Sequence, residues 1–321
     1  MNERGSEMKK KIILDCDPGH DDAIAIMLAG KHPAIDLMGI TVVSGNQTLE
    51  KTGKNTRHLA EFFGINVPIS LGSRLPLVKP IQICPDIHGD SGLDGYEFPP
   101  IKIPYHHQRA TDYIIDTLLA SDEKIVIVTT GPMTNLALAM RIEPRILEHI
   151  EKVVVMGGSI AHGNVTPAAE FNIYADPEAA HIVFTSGVPI VMIGLDVTRQ
   201  VMVLPPVIHR IKKINNPVAD LFVKLMNAFN QNQRNVFGIP AGPLHDPVTI
   251  AYLIDPTLVT LKRVSCHIDL SHGVSYGRTN IDQYNYLKLP QTIEVAVAID
   301  VDRFWNLIES VIKMYSNGTQ Q

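Results

Sequence analysis

Ile12-Ile13-Leu14-Asp15-Cys16-Asp17-Pro18-Gly19-His20-Asp21-Asp22-Ala23-Ile24-Ala25-Ile26-Met27-Leu28 runs from a short apolar segment, through four carboxylates and a Pro-Gly turn, into a second apolar segment. The first segment has the length and branching of a buried strand, the second the length of a buried helix, and Pro18-Gly19 supplies the turn between them. Four carboxylates crowded between two buried elements repel one another and lose solvation. The arrangement is tolerable when a cation, or a catalytic role with a shifted pKa, compensates it. The segment therefore points to a metal-dependent enzyme built on a strand-loop-helix unit.

The same alternation continues outward. Short branched runs at Lys11 to Leu14, Ile35 to Val43, Val67 to Ser70, Ile125 to Thr129, Val153 to Met156 and Val188 to Ile193 read as strands. Helical patterns stand between them at Asp21 to His32, Thr48 to Phe63, Ala110 to Ala120, Thr134 to Arg141 and Asp176 to Thr185. Strands separated by helices make crossover units and hence a parallel sheet. The fold class is α/β: a single-domain, Rossmann-like, open and mostly parallel sheet flanked by helices. Ligands of such sheets sit beyond the carboxyl ends of the strands, where the loops after Leu14, Val43, Thr129 and Met156 lie. Past Ile193 the rhythm weakens into helices over Ala219 to Gln231 and His245 to Ile254, a strand pair over Arg263 to Leu270 and Ile293 to Ile299, and a helix over Arg303 to Met314. Arg74 to Gln108 has prolines and glycines but no period, and is expected to wrap the surface or border the site.

At 321 residues and 45% hydrophobic content, the chain can fill one layered core. The domain is expected over residues 11–316, with a disordered leader over 1–10 and a flexible tail over 317–321. A net charge of −5 and no dense basic run argue against nucleic acid as partner. No apolar stretch reaches the roughly 20 residues that cross a bilayer, and the polar first residues lack the apolar centre of a signal peptide. A cytoplasmic location is the expectation. Cys16, Cys84 and Cys266 are odd in number and widely spaced, so they read as reduced thiols rather than a disulfide frame or a thiolate zinc site. Cys16, inside the acidic segment, should be a poor nucleophile.

Oxygen ligands without Cys or paired His suit Ca²⁺ or Mg²⁺. The spacing is not that of an EF-hand, whose loop requires glycine where His20 stands and glutamate where Ile26 stands. Asp17 and Asp22 are close enough in sequence to share one ion. Helix-dipole stabilisation of Asp21 and Asp22 in a first turn explains two of the carboxylates and leaves the other two unaccounted for.

DCDPGHDDAIAI resembles the signature of the inosine-uridine preferring nucleoside hydrolases, which release a free base and ribose from nucleosides. The likeness extends through VVSGNQTLEKT (from Val42), HGDSGLDG (from His88), TTGPMTNLALAM (from Thr129), VVVMGGS (from Val153), GNVTPAAEFNIYADPEAA (from Gly163) and GPLHDPVTIAYLIDP (from Gly242). It covers nearly everything from Lys11 to Met314. The resemblance implies a Ca²⁺ ion held by Asp17, Asp22, Asp246 and the carbonyl of Thr130, with Asp21 as the general base that takes a proton from the attacking water. It further implies that Asn46, Asn164, Glu170 and Asn172 grip the ribose hydroxyls, that Met156 packs beneath, and that Asp15 orients the loop from behind. For Asn164 to Asn172 the alternative is a capped loop ahead of the helix near Asp176. Members of the family form homotetramers or homodimers, which is the expectation for this chain too.

The departing base must accept a proton or leave as an anion. His245, beside Asp246, is the candidate donor. His88, in a glycine-rich loop, is a second candidate, and the alternative for it is a loop histidine facing solvent. His106 and His107 read as surface residues. The segment Asn230 to Ile239 is expected to cover the base; Phe237 stands where some relatives carry a tyrosine, so it can stack on a base but cannot relay a proton. The expected substrates are pyrimidine nucleosides and inosine, with purine or broad specificity as the alternative. Two other classes remain: an Asp-nucleophile phosphatase with Asp15 attacking, and a non-catalytic nucleoside-binding protein. Pro18-Gly19 after the Asp-Cys-Asp, and the oxygen-rich segment from Gly163, favour the sugar chemistry.

Overall fold

The computed structural model describes residues 9–315. The expected tail and residues 1–8 of the expected leader lie outside the described residues. Lys10 does not belong to a leader. It opens the first strand, its backbone N–H bonded to Ala34 O at 2.9 Å.

Among the described residues nine strands form one sheet: β1 (Lys10–Cys16), β2 (Ile35–Val42), β3 (Ile69–Leu71), β4 (Ile125–Thr129), β5 (Ile150–Met156), β6 (Ile190–Ile193), β7 (Val259–Ile268), β8 (Thr279–Asp282) and β9 (Ile293–Ile299). Their order is β3-β2-β1-β4-β5-β6-β9-β7-β8, parallel from β3 to β9 and antiparallel across β9-β7-β8. The expected strand pair is β7 with β9. The added partner β8 has only four residues and no apolar alternation, so its sequence carries no strand signal.

Among the described residues twelve α-helices surround the sheet: α1 (His20–Lys31), α2 (Leu49–Phe63), α3 (Pro85–His88), α4 (Ala110–Ala120), α5 (Thr134–Ile142), α6 (Phe171–Ala175), α7 (Pro177–Phe184), α8 (Leu195–Thr198), α9 (Pro205–Lys212), α10 (Pro217–Phe237), α11 (Pro247–Ile254) and α12 (Val301–Met314). The strands alternate between two cores. Ile12, Leu14, Val126, Val128 and Val154 face the core built with α1, α2, α10, α11 and α12, whereas Ile13, Ile125, Ile127, Val153 and Val155 face the core built with α4, α5 and α7. Covering on both faces is why these strands are apolar without a break. α1 lies inside the first layer, buried from His20 to Ala29, and accordingly has no polar face. α12 closes that layer with a stripe of Phe304, Trp305, Ile308, Val311 and Ile312. The proline-rich stretch after β3 wraps the outside and contributes α3 to the mouth of the site.

Strand order reverses direction between β1 and β4, so the loops leaving these two strands diverge and open a crevice at their carboxyl ends. The acidic segment leaves β1 there, and Thr130 leaves β4 beside it; Thr130 N–H bonds Asp15 O at 2.9 Å.

Candidate active site

The crevice floor is acidic. Asp17 and Asp22 are wholly buried, and Asp21 and Asp246 are 4% and 3% exposed. The first three come from the loop and first turn of α1, and Asp246 caps α11, the helix packed beside α1. Gly19 is required at the turn, since a Cβ there would sit 2.4 Å from His88 Nδ1. Asp21, Asp22 and Asp246 each bring an oxygen within 4.8 Å of the others. Asp17 adjoins this trio without joining it.

The remaining polar groups hold the carboxylates in place. Asp22 accepts from Gly19 N (3.0 Å), Thr130 Oγ1 (2.7 Å) and Asn46 Nδ2 (3.2 Å), and Asp17 Oδ2 accepts from Asn46 N at 2.6 Å. Behind them Asp15 accepts from Thr41 Oγ1 and Asn135 Nδ2, which is the supporting position expected for it. Asp17 Oδ1 and Asp21 Oδ1 are buried with no hydrogen-bond partner. Burial, followed by repulsion from Asp22, pushes Asp17 well above the usual carboxylate range and Asp21 to about 7. Burial, followed by repulsion from Asp21, Asp22 and Asp17, does the same to Asp246. Among the described residues no ion pair reaches this cluster. A divalent cation is the group that satisfies all of these oxygens together, and a donor set of carboxylates with one nearby carbonyl suits a hard one. Cys16 behaves as expected: burial, then the neighbouring Asp22, raises its thiol pKa far above the usual value.

Above the floor is a cavity of about 800 Å³. Asp21, Asn46, His88, Thr130, Met156, Asn164, Glu170, Asn172, Phe237, His245 and Asp246 all line it. Of the residues expected to touch metal or substrate, Asp17 and Asp22 do not, being enclosed below, and Asp15 stands behind them as expected. Asn172 donates from Nδ2 to Thr130 O (2.8 Å) and Met156 O (3.0 Å), binding the loops of β4 and β5 together. Glu170 caps α6, accepting from Asn172 N, Ile173 N and Gly158 N. The capped-loop reading of this segment is thus structurally right, and the same loop faces the cavity. Burial raises Glu170 to about 7.

His88 is 6% exposed and does not face solvent. Its ring stacks with His20 and Phe229, and its Nδ1 accepts from the His20 backbone N–H at 3.2 Å. His245 Nδ1 lies 2.7 Å from Thr198 Oγ1. Burial, and for His245 also the Arg199 charge, lowers His245 to about 3, and burial moves His88 well below its ordinary value. Both rings are therefore neutral in this state, so each can donate to a base as an imidazole N–H rather than as a standing imidazolium. His106 is not simply a surface residue: half-buried, it lies tilted against His107 and edge-on to Tyr113.

The sequence did not single out Cys84, Arg199, Phe229 or Gln233, although Cys84 falls in the stretch expected to wrap the surface or border the site and Gln233 in the segment expected to cover the base. One signal for Gln233 was present. The buried stripe of α10 runs Phe222, Leu225, Met226, Phe229 and Gln233, and an amide on an otherwise apolar stripe marks a place where the stripe stops facing a core. Nothing local marks Cys84 or Arg199.

Residues 12–306 match the family described as inosine-uridine preferring nucleoside hydrolase. The chain belongs to that family. It is a ribonucleoside hydrolase, a glycosidase acting at the bond between ribose and base. The hydrolase is 48% identical over 307 residues to the pyrimidine-specific ribonucleoside hydrolase RihB of Escherichia coli, covering 96% of this chain and 98% of that one. Among solved structures it superposes on a purine-preferring ribonucleoside hydrolase from Gardnerella vaginalis with a TM-score of 0.88 and 34% identity, covering 95% of this chain and 98% of the other. A plant nucleoside hydrolase superposes with a TM-score of 0.89 and 32% identity, covering 95% and 99%. No helix among the described residues is long and apolar enough to cross a membrane.

Proposed function

We propose that the hydrolase prefers pyrimidine ribonucleosides, uridine and cytidine, and works with Ca²⁺ held by Asp17, Asp22, Asp246 and the Thr130 carbonyl. The observation that carries the metal reading is the pair of buried, partnerless oxygens, Asp17 Oδ1 and Asp21 Oδ1, at the floor of the site among mutually repelling carboxylates. When bound, the cation supplies Lewis-acid polarisation of water and anchorage for ribose hydroxyls.

Asp21, which reaches the cavity, takes the proton from the attacking water as general base. Asn164, Glu170 and Asn172 hold the ribose, with Met156 beneath, and Asn46 acts mainly by fixing Asp17 and Asp22. Positive charge then builds on the ribose ring as the bond to the base lengthens, and the anionic floor favours that charge. The base departs toward His88 and His245, whose imidazole N–H groups donate to it, while Phe237 stacks at the open end.

A second assignment exchanges two roles. Because Asp21 belongs to the oxygen trio and Asp17 stands beside it, Asp17 would take the proton and Asp21 would bind the ion. Asn substitutions separate the two: the base variant keeps Ca²⁺ affinity and loses turnover, whereas the ligand variant loses both.

The pyrimidine preference rests on the likeness to RihB. Ribose release from uridine, cytidine and inosine, with and without chelator, tests it: faster turnover of uridine and cytidine than inosine, abolished by chelator, is the expected result. Faster inosine cleavage would overturn the preference, and full activity in chelator would overturn the metal. A homotetramer, in a cytoplasmic setting, completes the reading, and sedimentation in solution checks the assembly.

A further inference from the structure

Asn164 sits on a turn held at the cavity wall by a set of protein hydrogen bonds. Within the turn, Gly163 N bonds Pro167 O, Asn164 N and Val165 N bond Ala169 O, and Ala168 N and Ala169 N bond Thr166 Oγ1. A Cβ on Gly163 would fall 2.1 Å from Ala169 O, so the turn is closed on itself and moves as one body. Asn164 Oδ1 accepts from Phe171 N at 2.9 Å. A backbone N–H can only donate, so this contact fixes the amide orientation and leaves the Asn164 NH₂ as the group available to the cavity.

The turn's entry is gripped by α8. Asp196 receives Ile160 N at 2.6 Å and Ala161 N at 3.2 Å. Immediately after α8, Arg199 donates from Nη1 to His162 O at 3.1 Å and from Nη2 to Gly163 O at 2.6 Å. The two ends of one guanidinium thus clasp the two carbonyls that lead into the turn. Arg199 is exposed, and so is His162, with Gly163 half-buried, so water replaces the guanidinium if it is removed.

We propose that Arg199 is a positioning residue for the ribose: its guanidinium latches the Gly163–Ala169 turn so that the Asn164 amide meets the substrate. This rests on the reading that Asn164 contacts ribose. A contact displaced by a fraction of an ångström loses much of its effect, so the latch shows in substrate binding. Lysine cannot reproduce it, because a single ammonium group does not span two carbonyls in fixed geometry.

Steady-state kinetics on the Ca²⁺-loaded full chain with uridine tests the latch. Arg199→Gln should raise KM roughly 10-fold or more while kcat changes far less and the melting temperature stays put, and Arg199→Lys should recover only part of the loss. In an Asn164→Ala background, Arg199→Gln should add little. Unchanged KM in Arg199→Gln, with Asn164→Ala impaired, overturns the latch and leaves the ribose reading intact. An Arg199→Gln effect that persists in full on Asn164→Ala shows the guanidinium acting by another route and also overturns it. Normal kinetics in Asn164→Ala itself overturns both the ribose reading and the latch.

Discussion

The four clustered aspartates have similar sequence surroundings but unequal environments. Asp21 reaches the cavity with a free oxygen, while Asp22 is held by three donors and Asp17 by one. Asp21→Asn should reduce kcat by about 10²–10⁴-fold, measured as ribose release, without lowering the melting temperature, because it removes one of several repelling buried charges. A loss confined to KM would exclude Asp21 as the base. Asn135 shows the opposite balance. It donates to Asp15 Oδ1 and Val42 O and accepts from Ser73 N, so Asn135→Ala takes one donor from each of two buried acceptors, which keep Thr41 Oγ1 and Gly72 N, and leaves the Ser73 N–H without its acceptor. Denaturant unfolding should show a loss of about 1–3 kcal/mol, and a neutral result would mean that water substitutes there. Neither residue's partners could be read locally: Asp15 and Asn135 are 120 positions apart.

At the scale of elements, α10 joins a structural half to a functional half. Asn216 caps it, accepting from Ala219 N, and its amide also bonds Ile312 O and Tyr315 O, tying α10 to the end of α12. Asn216→Ala should destabilise by about 1–2 kcal/mol in thermal or denaturant melts, with kinetics of the remaining folded enzyme unaltered. At the other end Phe237, 51% exposed, borders the cavity and contributes nothing to a core. Phe237→Ala should leave the melting temperature in place and change KM among nucleosides differing in base; equal KM values would remove it from base contact. The sequence pattern located the helix over Ala219 to Gln231 and stopped short, because its last turns are rich in Asn, Gln and Arg and turn away from the core. The Asn216-Pro217 start and the Gly238 stop, with φ of 67°, were nonetheless legible capping signals.

For the molecule as a whole, the buried acids set how stability depends on pH and cation. Asp15, Asp21 and Glu170 are each raised to about 7 by burial, against ordinary values of 3.8, 3.8 and 4.5. Between those limits the folded chain binds more protons than the unfolded chain, so the contribution of these groups is complete below about pH 4 and declines as pH rises through 7. His20 and His245, lowered by burial to about 4 and about 3, work the other way below about pH 6.5, so chelator-treated enzyme should melt at progressively lower temperature from about pH 6.5 to pH 8, while saturating Ca²⁺ should raise the melting temperature and flatten that decline. A chelated enzyme whose melting temperature climbs over this range would contradict the buried, uncompensated cluster.

Apart from the short α3 and α6, the order of strands and helices through β6, the two-sided burial of the strands and the place of the acidic loop were written in the chain. Each depends on local properties: apolar run length, turn residues, and the incompatibility of four adjacent carboxylates with an unassisted core. The partition of roles was not. Asp246 meets Asp21 and Asp22 only because α11 packs beside α1, His88 is buried only because α3 and α10 close on His20, and Arg199 reaches Gly163 only because β5 and β6 are neighbours. Such contacts link residues tens to hundreds of positions apart, and the direction in which a side chain points across a sheet edge is a property of packing, to which no spacing along the chain corresponds.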